Sequence, residues 1–139
     1  MGPASAAPEG FERHFRRSPL TEPWEPIYSK KMERAVIIGL WLAEPHTNSR
    51  GLIHGGLIAA LADNAMGLSC SVASAEPLSL LTISLSIDYL ASARIGQWLQ
   101  VDTTFVKAGR SIAFAQCFVN ADGVACARGN ATFKVLAKE

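Results

Sequence analysis

The chain has 139 residues, room for one domain, and 49% of them are hydrophobic, enough for a real core. Charged residues make up only 18%, against about 25% in an average globular protein. Lys and Arg exceed Asp and Glu by one, 13 to 12, which leaves no bulk basic footprint for nucleic acid or a membrane surface.

Residues 1–30 are rich in Pro, Glu and Arg and read as an arm laid on a domain that spans 31–139. A short helix is expected around Glu9 to Arg17, ended by Ser18-Pro19 because the residue before proline avoids helix. Pro23 and Pro26 then mark an extended connection. Met1 to Gly10 has no basic segment followed by an apolar one, so no signal peptide is expected. Ala35 to Ala43, AVIIGLWLA, has the length and composition of a buried strand, stopped by Pro45. Thr47 to Gly56 is a turn-rich loop that ends in a helix start.

Leu57 to Ala75 is helical in composition and small or apolar on nearly every side, as in a helix buried all round. In Leu81 to Tyr89, Leu81, Ile83, Leu85, Ile87 and Tyr89 alternate with Thr82, Ser84, Ser86 and Asp88, the period of a strand. Gln97 to Lys107, Ser111 to Asn120 and Val124 to Val135 are three more strands, joined by turns at Ala108-Gly109-Arg110 and Ala121-Asp122-Gly123. The expected order is strand, long buried helix, then an antiparallel meander of four strands. Such a sheet has open edges, which dimerisation would close. No apolar run approaches the ~18–20 residues of a membrane span. Cys70, Cys117 and Cys126 are odd in number and lack metal-ligand spacing, so they read as buried thiols in a reducing, cytoplasmic compartment.

Chemistry concentrates at the long helix. Asp63 is the sole acid between Glu44 and Glu76 and sits amid apolar residues. A buried carboxylate must be paired, neutralised or set in a cleft, and the alternative is a wet acid on an outer helix turn. His54-Gly55-Gly56 leads into the helix, where backbone N–H groups lack internal partners and can hold an oxyanion. Equally, the two glycines suit a plain loop-to-helix junction. Asp63 follows His54 by nine residues, roughly 13 Å along a helix and half a turn round it. Their cooperation therefore requires two copies of the chain about a twofold axis.

Asn48-x-x-Gly51-x-x-His54-Gly55-Gly56, six residues, then Asp63 resembles the active-site stretch of hotdog-fold acyl-CoA thioesterases. The resemblance is to the PaaI-like (phenylacetate-pathway) branch that includes the mammalian thioesterase superfamily members. It continues through Thr82, Ile87-Asp88-Tyr89-Leu90 and the Lys107-x-Gly109-Arg110 turn, and covers roughly residues 30–139. It implies an α+β fold, an antiparallel sheet of five to six strands wrapped around one long central helix, in homodimers that pair into tetramers.

By the same resemblance, Gly55 offers its N–H to the thioester carbonyl and Asn48 helps to hold it. Asp63 of the partner copy acts as general base on water or as nucleophile. Thr82 positions the water or the carboxylate, and His54 orients the loop. Lys107, Gly109 and Arg110, with Arg128, meet the coenzyme A part of the substrate. No metal or separate cofactor is implied, and no nucleic acid or membrane. Leu68, Cys70, Leu81, Phe11, Phe15 and Trp24 are candidates for the acyl pocket. Two alternatives stay open: a hydratase or dehydratase of the same fold, and a non-catalytic acyl-CoA binding protein.

Overall fold

A computed structural model describes residues 6–136. Its elements are β1 (Glu12–Arg13), β2 (Tyr28–Lys31), β3 (Val36–Trp41), α1 (Gly55–Ala73), β4 (Leu80–Tyr89), β5 (Trp98–Ala108), β6 (Ile112–Ala121) and β7 (Val124–Val135). The strands form a single antiparallel sheet in the order β1-β2-β3-β5-β6-β7-β4, and α1 packs across one face of it. This is the hotdog arrangement.

Helix α1 is rich in Ala, Leu and Met, which favour helix. Its buried residues, Leu57, Ile58, Leu61, Ala62, Ala65, Met66, Ser69 and Cys70, recur at helical spacing and form a stripe. The expectation of burial all round is corrected. The opposite side, with Gly67 and Leu68, is only half-buried, and Asn64 is exposed. By length and apolar content the 19 residues of α1 would also span a bilayer, which the run-length reading missed. The buried stripe identifies α1 instead as the core helix. Ser69 anchors it to the sheet, because its Oγ accepts the Val36 N–H at 3.0 Å.

Three expectations change. The sheet has seven strands rather than five to six, since the arm adds β1 and β2. No helix forms at residues 9–17, where Glu12 and Arg13 instead pair with Ser29 and Tyr28. The meander comprises β5, β6 and β7 only. Strand β4 pairs with β7 at the far edge, while β3 lies beside β5.

The arm is fastened by aromatic contacts. Phe11 and Trp41 pack edge-on against Trp98 at 5.1 and 5.2 Å between centroids. Gly39 makes room for that indole, since a Cβ there would stand 2.4 Å from the Trp98 ring. The buried His46 ties in the next stretch, bonding the Trp24 carbonyl through Nε2 and the Ala43 N–H through Nδ1, both at 2.9 Å.

Strand β4 is a free edge with an apolar surface. Leu81 and Ile83 are 57% and 56% exposed.

Candidate active site

The start of α1 is built from its own loop. His54 is the N-cap, and its Nδ1 accepts the Gly56 N–H at 2.7 Å. Among the described residues the Gly55 N–H, one of the first-turn donors, has no partner. Tyr89, at the end of β4, donates its hydroxyl to the Gly55 carbonyl at 2.6 Å. Its ring lies so near that a Cβ on Gly55 would stand 3.1 Å from it. Partial burial raises the Tyr89 pKa and keeps the phenol a donor. Asn48 folds the loop: its Oδ1 accepts the N–H groups of Arg50 and Leu52 at 2.9 and 3.1 Å. That leaves the Asn48 amide NH2 as its remaining donor.

The second cluster lies in the third turn of α1. Thr82 donates its hydroxyl to Asp63 Oδ1 at 2.8 Å. Strict alternation would have set Thr82 on the polar face with Ser84, Ser86 and Asp88. The strand slips instead: Thr82 pairs with Phe133 and Ser84 with Thr132, leaving Ile83 as a bulge. One extra residue turns Thr82 toward the helix side, where Phe133 is buried. No cation pairs with Asp63 among the described residues.

Asp63 and Thr82 line a cavity of about 240 Å³. Leu61, Leu68, Leu80 and Phe133 supply apolar walls, and His14, Arg16, Arg17, Ser18 and Thr21 close it from the arm. Of the acyl-pocket candidates, Leu68 is placed there. Phe11 packs on Trp98, and Phe15 lies beside His14 and under the Lys31 ammonium. Trp24 packs against the core, Cys70 is wholly buried, and Leu81 is exposed outside the cavity.

The other predicted residues lie apart. Lys107, Gly109 and Arg110 are exposed at the β5–β6 hairpin. Gly109 is needed there for close approach, since a Cβ would stand 2.8 Å from the Ile112 carbonyl oxygen. Arg128 alternates with the buried Ala127 and Gly129, so it faces away from the helix, and its Nε donates to Asp88 Oδ2 at 3.0 Å. The three cysteines are free thiols, buried as expected. Burial pushes Cys70 and Cys117 up to about 11 and raises Cys126.

The sequence reading assigned no role to Tyr89 or His14. The signal for Tyr89 was its place on the alternating apolar face of β4. Nothing local singled out His14.

The family model of the thioesterase superfamily matches residues 50–127, which contain both clusters apart from Asn48. The chain belongs to the thioesterase superfamily. It is 37% identical over 109 residues to "Putative esterase PA0474" of Pseudomonas aeruginosa, covering 78% of this chain and 81% of that one. It is 35% identical over 81 residues to human acyl-coenzyme A thioesterase 13, covering 57% of this chain and 56% of the relative. The solved structure of smu.793 from Streptococcus mutans, bound to acetyl CoA, superposes with a TM-score of 0.76 at 26% identity. That match covers 91% of this chain and 97% of the other. In a thioesterase, the two clusters have complementary chemistry. One offers an open backbone N–H to an acyl oxygen, and the other offers an unneutralised carboxylate to a water or a carbonyl carbon.

Proposed function

We propose that this thioesterase hydrolyses acyl-CoA thioesters, and that each site is completed by a second copy of the chain. The observation that carries the reading is the Asp63–Thr82 hydrogen bond on the wall of a cavity beside an unpaired sheet edge. The names of the human relative and of the acetyl-CoA-bound neighbour support coenzyme A as the carrier.

Gly55 and Asp63 are eight residues apart on one helix, about 12 Å along its axis, too far to act on the same carbonyl. Thr82 and Tyr89 lie toward opposite ends of β4, and each is bonded to one of the two clusters. Antiparallel pairing of two β4 edges therefore carries the Asp63 end of one copy toward the Gly55 end of the other. The pairing also covers Leu81 and Ile83.

In the completed site the Gly55 N–H holds the thioester oxygen, and the Asn48 amide helps. Asp63 of the other copy takes the proton of the attacking water or attacks as nucleophile, with Thr82 orienting the carboxylate. Thioesters suit so small a set of groups, because the carbonyl is weakly resonance-stabilised and thiolate leaves readily. His54 acts through the helix start that it caps. A hydratase would ask a histidine to move a proton on the acyl carbon, whereas His54 Nδ1 already holds the Gly56 N–H. Lys107 and Arg110, on the turn shaped by Gly109, meet the phosphates of coenzyme A, with Arg128 as a weaker contributor shared with Asp88. Two dimers pair through the outer sheet face, a reading supported by the exposed Phe105, Phe114 and Phe118. Three unpaired cysteines suit the reducing cytoplasm.

Mixing Asn48→Ala with Asp63→Asn subunits tests the shared site, with thiol release from an acyl-CoA panel as the readout. Each variant alone should be nearly inactive, and heterodimers should regain activity because one of their two sites is wholly intact. No regain in proven heterodimers refutes the sharing. Single turnover in ¹⁸O-labelled water then separates the two roles of Asp63, because only a nucleophile incorporates label into its own carboxylate.

A further inference from the structure

The cavity beside Asp63 has a wall made by the arm, and that wall is polar. It is also rigid. Strand β1 pairs with β2, the His14 N–H donates to the Ile27 carbonyl at 2.9 Å, and Ser18 and Thr21 are hydrogen-bonded to each other. Arg17 is ion-paired with Glu22, and Arg13 with Glu25. Arg16 also lines the cavity, and among the described residues no carboxylate pairs with it.

The imidazole of His14 makes no hydrogen bond among the described residues, and its Nδ1 is sealed from solvent without a partner. Burial lowers the His14 pKa, which keeps the ring neutral at pH 7. Nδ1 is closed off from water and so does not itself face the cavity; the arm cation that lines the cavity without a carboxylate partner among the described residues is Arg16. Among the described residues Asp63 is the sole acid in the lining, and the proposed mechanism occupies it with the reacting end of the substrate. At about 240 Å³ the space falls below the ~300–1,000 Å³ usual for drug-sized ligands, so it suits a short acyl group.

We propose that the arm reads the end of the acyl group remote from the thioester, and that the preferred substrates are short acyl-CoA esters with a carboxylate at that end, met by Arg16 beside His14. The inference rests on the thioesterase reading of Asp63 and adds the substrate class. A guanidinium meets a carboxylate through paired, charge-assisted hydrogen bonds, which a methyl terminus cannot make.

The test compares adipoyl-CoA with hexanoyl-CoA, equal in length and different only at the tip. kcat/KM is measured for the parent, Arg16→Gln, Arg16→Glu, and Arg34→Gln at the exposed β2–β3 turn. Binding of both esters is measured by calorimetry in the parent and in Asp63→Asn, each with and without Arg16→Gln. The parent should favour adipoyl-CoA by roughly tenfold, the worth of one charge-assisted contact. Arg16→Gln should bring the ratio near one, Arg16→Glu should invert it, and Arg34→Gln should retain it. A parent that cleaves hexanoyl-CoA as well as adipoyl-CoA, or an Arg16→Gln effect equal on both, overturns the inference and leaves the thioesterase reading intact. If neither ester is cleaved, an Arg16-dependent binding preference sustains the inference while the catalytic reading falls. Equal binding, or none, removes it.

Discussion

Two aspartates held by neighbours on opposite faces of the sheet show what environment does to one functional group. Asp88, near the end of β4, is ion-paired with Arg128 on the outer face, and the two side chains are 61% and 60% exposed. Asp63 is half-buried on the helix side, bonded by the Thr82 hydroxyl and bordered by a cavity with apolar walls from the helix and sheet and a polar one from the arm. The Asp88 charge is matched by a guanidinium and screened by water. Asp63 has a donor that orients it and, among the described residues, no cation paired with it. A general base or nucleophile needs that second situation.

The most severe test of this contrast is amide replacement at each aspartate. Asp63→Asn should lower the rate of thiol release by about a hundredfold or more, the range of a lost general base. Asp88→Asn should leave the rate within about twofold and cost less than ~1 kcal/mol in denaturant unfolding, as exposed pairs do. Similar losses from both would end the distinction. Thr82→Val sharpens it further. Removal of one hydrogen bond to a charged group should cost roughly tenfold in kcat, and Thr82→Ser should restore most of it. If Val and Ser behave alike, the hydroxyl does not orient the carboxylate.

A smaller effect concerns protonation away from the site. Desolvation by burial pushes the His46 pKa below its ordinary 6.5. The neutral ring is pinned on both nitrogens by Ala43 and Trp24. The unfolded chain binds that proton more readily than the folded one, so stability is level above about pH 6.5 and falls as pH drops through the folded value. The melting temperature should therefore decline between about pH 7 and pH 5, and His46→Gln should flatten that slope while lowering the neutral-pH value. An unchanged slope would exclude His46 as its source. The smallest expected effect is at the thiols. With Cys70 and Cys117 pushed up to about 11, almost no thiolate forms at pH 8, and iodoacetamide on the native protein should leave thiol release intact. Rapid inactivation prevented by substrate would contradict this.

The comparison also shows where sequence reasoning was sound. Strands β3 to β7 and the helix lie within one or two residues of their expected bounds, and Val124–Val135 coincides at both ends. Those segments carry long apolar runs or alternating patterns, whose burial dominates local choice. The arm carries no period, and its two short strands exist only because β3 offers an edge to β2. The expected helix at Glu9–Arg17 therefore lost to pairing that no local signal announces.

At the candidate site, Asp63 was conspicuous as a lone acid among apolar helix residues, and His54 and Gly55 as the glycine lead-in to that helix. Thr82 was named through the resemblance, yet its position beside Asp63 depends on a bulge at Ile83 that alternation hides. Tyr89 was read as one more apolar-face residue, although its hydroxyl reaches the Gly55 carbonyl from across the sheet. Arg128 was named through the resemblance, and alternation about Ala127 and Gly129 sets it on the outer face beside Asp88.

By itself the sequence determined the elements from β3 onward, the glycine lead-in to the long helix, and the place of a lone acid on that helix. Each of these follows from contacts within a few residues or from a repeating pattern of burial. Tertiary structure decided which strand ends at the edge, which hydroxyl meets Asp63 and which arm residues wall the cavity. Those contacts join residues from 19 to more than 60 positions apart, and they are set by sheet order and one bulge, which local sequence does not encode.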